Sequence, residues 1–308
     1  MIDLHLDLLS IIYYSWLKKD DRYLKKLLPC FKDDNVSYLL ANLYFMNPNE
    51  MEKEIGNHSI KVVEMFEKST NLLKQYLPNT NVKYSIEGCD YIQDTKELEE
   101  LYQLGLRNIL LVWNNENKYG SGNKTKKGLT EEGKDFLRKA IDLGISIDLS
   151  HMNENTFYDT IKLIQEEKQK GKKVKVLASH SNYKPLCNHP RNLSLEQLKA
   201  LKSVDGLLGL VSYTTFVKGS KEESMKEQYK NHIKKAVEIL GIDNVGVSSD
   251  DMTFANYFFQ ENYEMIFEYS TIRKDIEELL KEDFTKEEIE KIVWKNAYNQ
   301  LWKEEEEK

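Results

Sequence analysis

The chain has 308 residues, 40% hydrophobic and 31% charged, and a net charge of -7. That is enough chain to bury a large core in one α/β domain or two modest ones, and the acidic balance argues against a nucleic-acid partner, whose phosphates require a lysine or arginine stripe. No run of about 18 apolar residues offers a membrane span. In chain order, β-rich runs fall at 2–6, 36–45, 82–87, 106–113, 145–149, 174–179, 206–212 and 244–249. Helical stretches lie between them, and two carry capping-box starts: Ser194 with Gln197, and Thr285 with Glu288. Eight strand–helix units without an internal linker predict a single (β/α)8 barrel over 1–308, with extra helices at the C-terminal end. The terminal KEEEEK reads as a charged helix end or tail.

Three cysteines, Cys30, Cys89 and Cys187, are scattered without paired spacing, which favours a reducing compartment. The N-terminus passes straight into MIDLHLD with no basic-then-apolar leader. A cytoplasmic location is the expectation. The polar segment NNENKYGSGNKTKKG, 114–128, follows the fourth strand and is expected on the barrel face that carries chemistry.

Most strands end in a polar, metal-competent residue. His5 and Asp7 close the first, Glu87 the third, His151 follows the fifth, His180 the sixth and Asp250 the eighth. In a barrel all would project from the C-terminal mouth. Three histidines and three carboxylates match the nitrogen and oxygen donors of a pair of divalent zinc ions, with one carboxylate shared between them. Taken singly, each residue has a plainer reading: a histidine after a strand is often a hydrogen-bonded structural group, and Glu87 before Gly88 could end a strand in a turn. Asp148 either orients its loop or supports the ligands from behind.

HLD at 5–7, EG at 87–88, GLTEEGKDFLRKAIDLGISIDLSHM at 128–152, ASHSNYKPLCNHPRNLSLEQLKAL at 178–201 and VGVSSD at 245–250 resemble the membrane (renal) dipeptidase family of zinc metallopeptidases in the amidohydrolase superfamily. The resemblance implies that His5 and Asp7 bind one zinc with Asp250, that His151 and His180 bind the other, and that Glu87 bridges both. It also implies that Arg191 holds the substrate carboxylate. The implied activity is hydrolysis of short dipeptides with a free C-terminal carboxylate, a C-terminal D-residue included, by a hydroxide bridging the metals. Asp250 would shuttle the proton. Asn114 or Asn115 is a candidate for an oxyanion hydrogen bond, and Tyr213 for the pocket wall. The small dipeptide is the expected partner, with a homodimer left open.

The sequence departs from the family twice. Trp113 stands where better-known members have a histidine that helps polarise the scissile carbonyl, and SSDDMT at 248–253 replaces the usual SDFDG, placing Asp251 beside Asp250. Two other readings therefore stand beside the dipeptidase: an amidohydrolase acting on a non-peptide amide or lactone, and a metal-binding homologue with impaired catalysis.

Overall fold

A computed structural model describes residues 1–31, 36–45 and 61–303; residues 304–308, most of the charged tail, lie outside the described residues. Eight strands form one sheet in sequential order: β1 (Ile2–Leu6), β2 (Tyr38–Tyr44), β3 (Asn81–Glu87), β4 (Leu106–Leu110), β5 (Ser146–Asp148), β6 (Val176–Ala178), β7 (Leu207–Val211) and β8 (Val245–Ser248). Every ladder from β1 to β8 is parallel. Helices surround the sheet, so the fold is the expected (β/α)8 barrel.

Among the described residues no ladder joins β8 to β1. The seam is closed by side chain and loop instead. The buried Asp3 carboxylate accepts from Ser249 N–H at 2.9 Å, Ser249 Oγ at 2.6 Å and Tyr269 Oη at 3.1 Å. Just above it, Asp250 N–H donates to His5 O at 3.0 Å. With His5 N–H at 3.2 Å, four donors on one buried acid offset much of its desolvation, and those from Ser249 fix the β8 end against β1, where candidate ligands sit.

Several helices start where a short polar side chain satisfies a first-turn N–H group. Thr130 accepts from Gly133 N–H, Asn153 from Thr156 N–H, and Ser194 forms the predicted capping box with Gln197. Thr285 and Glu288 form the second. Each such cap contributes about 1 kcal/mol. Apolar residues at helical spacing then turn inward, as with Phe136, Leu137, Ala140 and Ile141 of the helix Glu131–Asp142.

At the N-terminal ends of the strands the barrel is plugged. Ile2, Leu4, Leu40, Leu177 and Leu207 form an apolar cluster with Ala297, Leu301 and Trp302 of the last helical segment. Asn296 Nδ2 donates to Ile242 O and Val245 O at 2.7 and 2.8 Å, and Gln300 Nε2 to Val176 O at 2.9 Å. These bonds seat the segment against carbonyls at the strand starts. A π-helical turn at Lys291–Lys295 precedes it.

Candidate metal centre

The opposite end of the barrel gathers His5, Asp7, Glu87, His151, His180 and Asp250, all buried apart from the slightly exposed Asp250. Glu87 is at the centre. Its Oε1 lies 2.7 Å from His151 Nε2 and 3.5 Å from His180 Nε2, while its Oε2 lies 3.2 Å from His5 Nε2. His5 Nε2 is in turn 3.7 Å from Asp7 Oδ1 and 3.9 Å from Asp250 Oδ1. One carboxylate thus faces two donor sets, His151 with His180 on one side and His5 with Asp7 and Asp250 on the other.

Local backbone puts these groups in place. The β1–β2 register shifts between Asp3 and Leu6, an irregularity of the kind that re-aims a side chain, here His5. Gly88, with φ +84°, turns the chain immediately after Glu87. His151 and Asp250 have φ values of 70° and 46°, a left-handed conformation that costs a non-glycine residue on the order of 1 kcal/mol or more. The turn between β5 and its helix holds His151, and Asn153, two residues on, caps that helix.

The imidazoles are oriented from behind. Ser179 Oγ is 2.8 Å from His180 Nδ1 and 3.3 Å from His5 Nδ1, so one hydroxyl turns both Nε2 atoms toward the centre. Asp148 Oδ1 accepts from Ser150 N–H and Ser179 N–H, each at 3.0 Å, and so holds the Ser179 backbone. Asn114 Oδ1 lies 3.0 Å from His151 Nδ1 and also accepts from Asn123 Nδ2 at 2.9 Å. A carbonyl oxygen only accepts, so the network places the His151 proton on Nδ1 and leaves Nε2 a bare lone pair.

That arrangement is a test of whether metal fits. A lone-pair nitrogen at 2.7 Å from a carboxylate oxygen sets acceptor against acceptor unless a cation lies between them, and His180 Nε2 stands 3.0 Å from the same nitrogen. On the other side, His5 Nε2 and Asp7 Oδ1 are buried without a hydrogen-bond partner. His5, Glu87 and His180, and likewise His5, Asp7 and Asp250, bring one ligand atom each to within 4.8 Å of one another. The donors are the nitrogen and carboxylate types that divalent transition metals take. The residues fit metal.

Electrostatics agree. Burial, with Arg191 nearby, pulls His151 down to about 3, and burial with His5 holds His180 well below its ordinary range, so both are neutral, the ligating form. Burial would lower His5, but Glu87, Asp250 and Asp7 outweigh it and push it up to about 10. Burial and the Glu87 charge raise Asp7 well above the usual carboxylate range. Without a cation, the acids crowd one proton-bearing imidazole.

A cavity of about 380 Å³ opens beside these groups. Its wall includes Arg191, Asn114, Tyr213 and Trp113, with Asn123 and Lys124 from the 114–128 loop, which therefore lies on the face expected of it. Asn115 is not on the described wall. Arg191 is 5% exposed, and its Nη2 donates to His180 O at 3.1 Å while Nε has no partner. Among the described residues no carboxylate pairs with it. Phe216 carries Arg191 at 5.6 Å from its ring centre, His189 at 4.6 Å and Tyr213 edge-on at 5.0 Å. Trp113 packs on Tyr44 at 4.9 Å, 5.8 Å from the His151 ring. Asp251 turns away from this cavity.

Ser179, Asp3 and His189 were not among the candidates drawn from the sequence. The serine in SHS is visible as a neighbour of His180, but its reach to His5, 174 positions away, is a property of the closed barrel. His189 accepts from Arg191 N–H at Nδ1, 3.2 Å, within the same short loop.

The sequence profile of the membrane dipeptidases, peptidase family M19, matches residues 47–308. The chain belongs to this family. His5 and Asp7 lie ahead of the matched stretch, so their membership in the site rests on geometry. Among curated proteins, the chain is 34% identical over 134 residues to an uncharacterized protein from the PQQ-III 3' region of Acinetobacter calcoaceticus, covering 41% of this chain and 40% of that one. It is 31% identical over 177 residues to one from the pqqA 5' region of Klebsiella pneumoniae, covering 54% and 62%. The chain thus aligns with about half the length of these relatives. Among solved structures, a metallopeptidase from Rhodobacter sphaeroides bound to a phosphinate mimic of L-Ala-D-Ala superposes with a TM-score of 0.76 at 20% identity, over 98% of this chain and 99% of that one. At that identity the likeness speaks for the fold.

Proposed function

We propose that the chain is a binuclear zinc dipeptidase that cleaves dipeptides with a free C-terminal carboxylate, including those with a C-terminal D-residue. The observation that carries this reading is Glu87 standing between two donor sets, beside a buried arginine that no described carboxylate neutralises. His5, Asp7 and Asp250 would hold one ion, His151 and His180 the other, and Glu87 both. When bound, such ions supply Lewis acidity and bring the pKa of water toward neutrality.

The chain's own groups do the rest. Arg191 presents a planar fork suited to a carboxylate, and its burial strengthens the pairing. Burial pulls its guanidinium down only to about 10, so it stays charged at neutral pH. Asp250, which lines the same cavity, would take a proton and return it to the leaving amine. Asn114, with its oxygen committed to His151, orients that imidazole and leaves its amide nitrogen as the candidate hydrogen-bond donor toward the substrate carbonyl. Tyr213 and Trp113 supply apolar wall. The Rhodobacter relative's ligand, a mimic of L-Ala-D-Ala, supports the D-residue part of the proposal.

The test is hydrolysis by zinc-reconstituted protein of L,L and L,D dipeptides, their C-terminal amides, and a lactone and non-peptide amide panel. Cleavage restricted to free-carboxylate dipeptides, with two zinc ions per chain by elemental analysis, is the expected result. Turnover of lactones or non-peptide amides alone would favour the other amidohydrolase chemistry. Full zinc loading without any turnover would favour an impaired homologue.

A further inference from the structure

Asp251 is a buried acid that the metal centre does not use. It is 7% exposed and directly follows Asp250, yet it lines a separate cavity of about 520 Å³. Tyr23, Lys26, Cys30, Thr253 and Tyr269 share that wall, and Tyr263 borders both cavities. Asp251 Oδ1 accepts from Thr253 N–H at 2.9 Å, and Tyr23 Oη meets Thr253 Oγ1 at 2.7 Å. Among the described residues no lysine or arginine pairs with Asp251, and no acid pairs with Lys26. Asp251 and Lys26 therefore line one cavity, with Glu268 also on its wall, and neither forms an ion pair among the described residues.

A buried carboxylate that lacks a cationic partner is costly, and a ligand ammonium would offset that cost. Lys26, at the same cavity, offers the complementary cation for a carboxylate. Leu27, Met265 and Phe267 add apolar wall, and the volume lies within the range of small-molecule sites. We propose that this cavity binds a free α-amino acid with an apolar side chain, its ammonium on Asp251 and its carboxylate on Lys26. The assignment stands apart from the dipeptidase reading, although the amino acids such a reaction releases are ligands of this class. Two links join the cavity to the metal centre: the Asp250–Asp251 peptide bond, and Tyr269 Oη donating to Asp3, which also accepts from His5 N–H at 3.2 Å.

The experiment uses the full, zinc-reconstituted chain carrying Arg191→Met, so that carboxylate binding in the catalytic cavity is removed. Calorimetric titration with L-leucine, L-methionine and L-phenylalanine is compared with their amides and N-acetyl derivatives. At least one free amino acid should bind, with its amide and N-acetyl forms each about tenfold or more weaker, the size expected for loss of a charge-assisted contact. Adding Lys26→Met should remove the preference for the free acid over the amide. Adding Asp251→Asn should remove the preference for the free amine over the N-acetyl form. Lys26 is exposed, so its variant keeps the fold and decides the matter if the Asp251 variant does not. Absence of binding by all three amino acids, or binding that Lys26→Met leaves unchanged with its preference intact, overturns the proposal.

Discussion

The two ends of the barrel are made from the same eight strands and solve opposite problems. At the strand starts, Ile2, Leu4, Leu40, Leu177 and Leu207 meet Ala297, Leu301 and Trp302 in an apolar plug, and Asn296 and Gln300 donate beside it to the carbonyls of Val245 and Val176. At the strand ends, three carboxylates and three imidazoles are packed into a few ångströms, two of them on left-handed backbone. The lower end lowers free energy by removing apolar surface from water. The upper end concentrates desolvated charge, and nothing in its packing explains such a cost except a ligand that needs it. Fold stability and chemistry are thus separated along the strand axis by only four or five residues, as between Ile2 and Asp7.

If that separation holds, damage at one end should leave the other intact. Glu87→Gln is the largest expected effect: the carboxamide cannot serve both donor sets, so hydrolysis should fall on the order of 1,000-fold, with metal content reduced. The near-UV circular dichroism should persist, because Glu87 contributes no apolar packing. A variant with full metal and full rate would remove Glu87 from the centre. Trp302→Ala is the converse. It strips a buried indole that packs edge-on against Tyr38 at 5.5 Å and lies under Lys83, and should cost about 3–5 kcal/mol of stability in denaturant titration. kcat/KM per folded molecule should not change, and a parallel loss of turnover would show the two ends to be coupled.

Arg191→Met sharpens the comparison within the upper end, separating substrate recognition from metal binding. Loss of a bidentate contact at a desolvated site costs about 2–5 kcal/mol, a fall in kcat/KM of roughly 30-fold or more. Wild type should discriminate against amidated dipeptides and the variant far less, with metal content unchanged. Equal cleavage of free and amidated dipeptides by wild type would take the carboxylate-reading role away from Arg191.

The barrel was legible because its signals are local. Short β-rich runs marked all eight strands, and both predicted capping boxes form. The ends were less so: the run at 174–179 becomes a strand only at Val176–Ala178, and 106–113 only at Leu106–Leu110, where the ladder stops and loop geometry takes over. At the site, residues at strand termini could be named because parallel strands deliver their C-terminal ends to one face. What orients them could not. Asn114 to His151, Asp3 to Ser249 and Ser179 to His5 span 37, 246 and 174 positions, and each depends on the exact closure of the barrel. Asn114 illustrates the difference: its place on the cavity wall followed from the loop, but its hold on His151 did not.

Ser179→Ala gives the smallest predicted effect and tests that supporting layer directly. The hydroxyl sits between His180 Nδ1 at 2.8 Å and His5 Nδ1 at 3.3 Å, so it touches one imidazole from each donor set. Its loss leaves all six candidate ligands in place but frees two rings to rotate, and removes a partner that fixes their tautomers. Groups of this kind typically contribute 10–100-fold to metal affinity, so zinc binding measured by competition with a chelator should weaken by that factor in both sites. Because bound metal stabilises the folded chain by mass action, the Tm of wild type should drop on chelation, and the variant should reach the same drop at a lower chelator concentration. With saturating zinc its kcat should recover most of the wild-type value, which distinguishes a positioning residue from a ligand. Weakening confined to one metal would mean that Ser179 serves only the nearer ring, His180. An unchanged affinity would mean that Asp148 and the strand backbone orient the imidazoles without it.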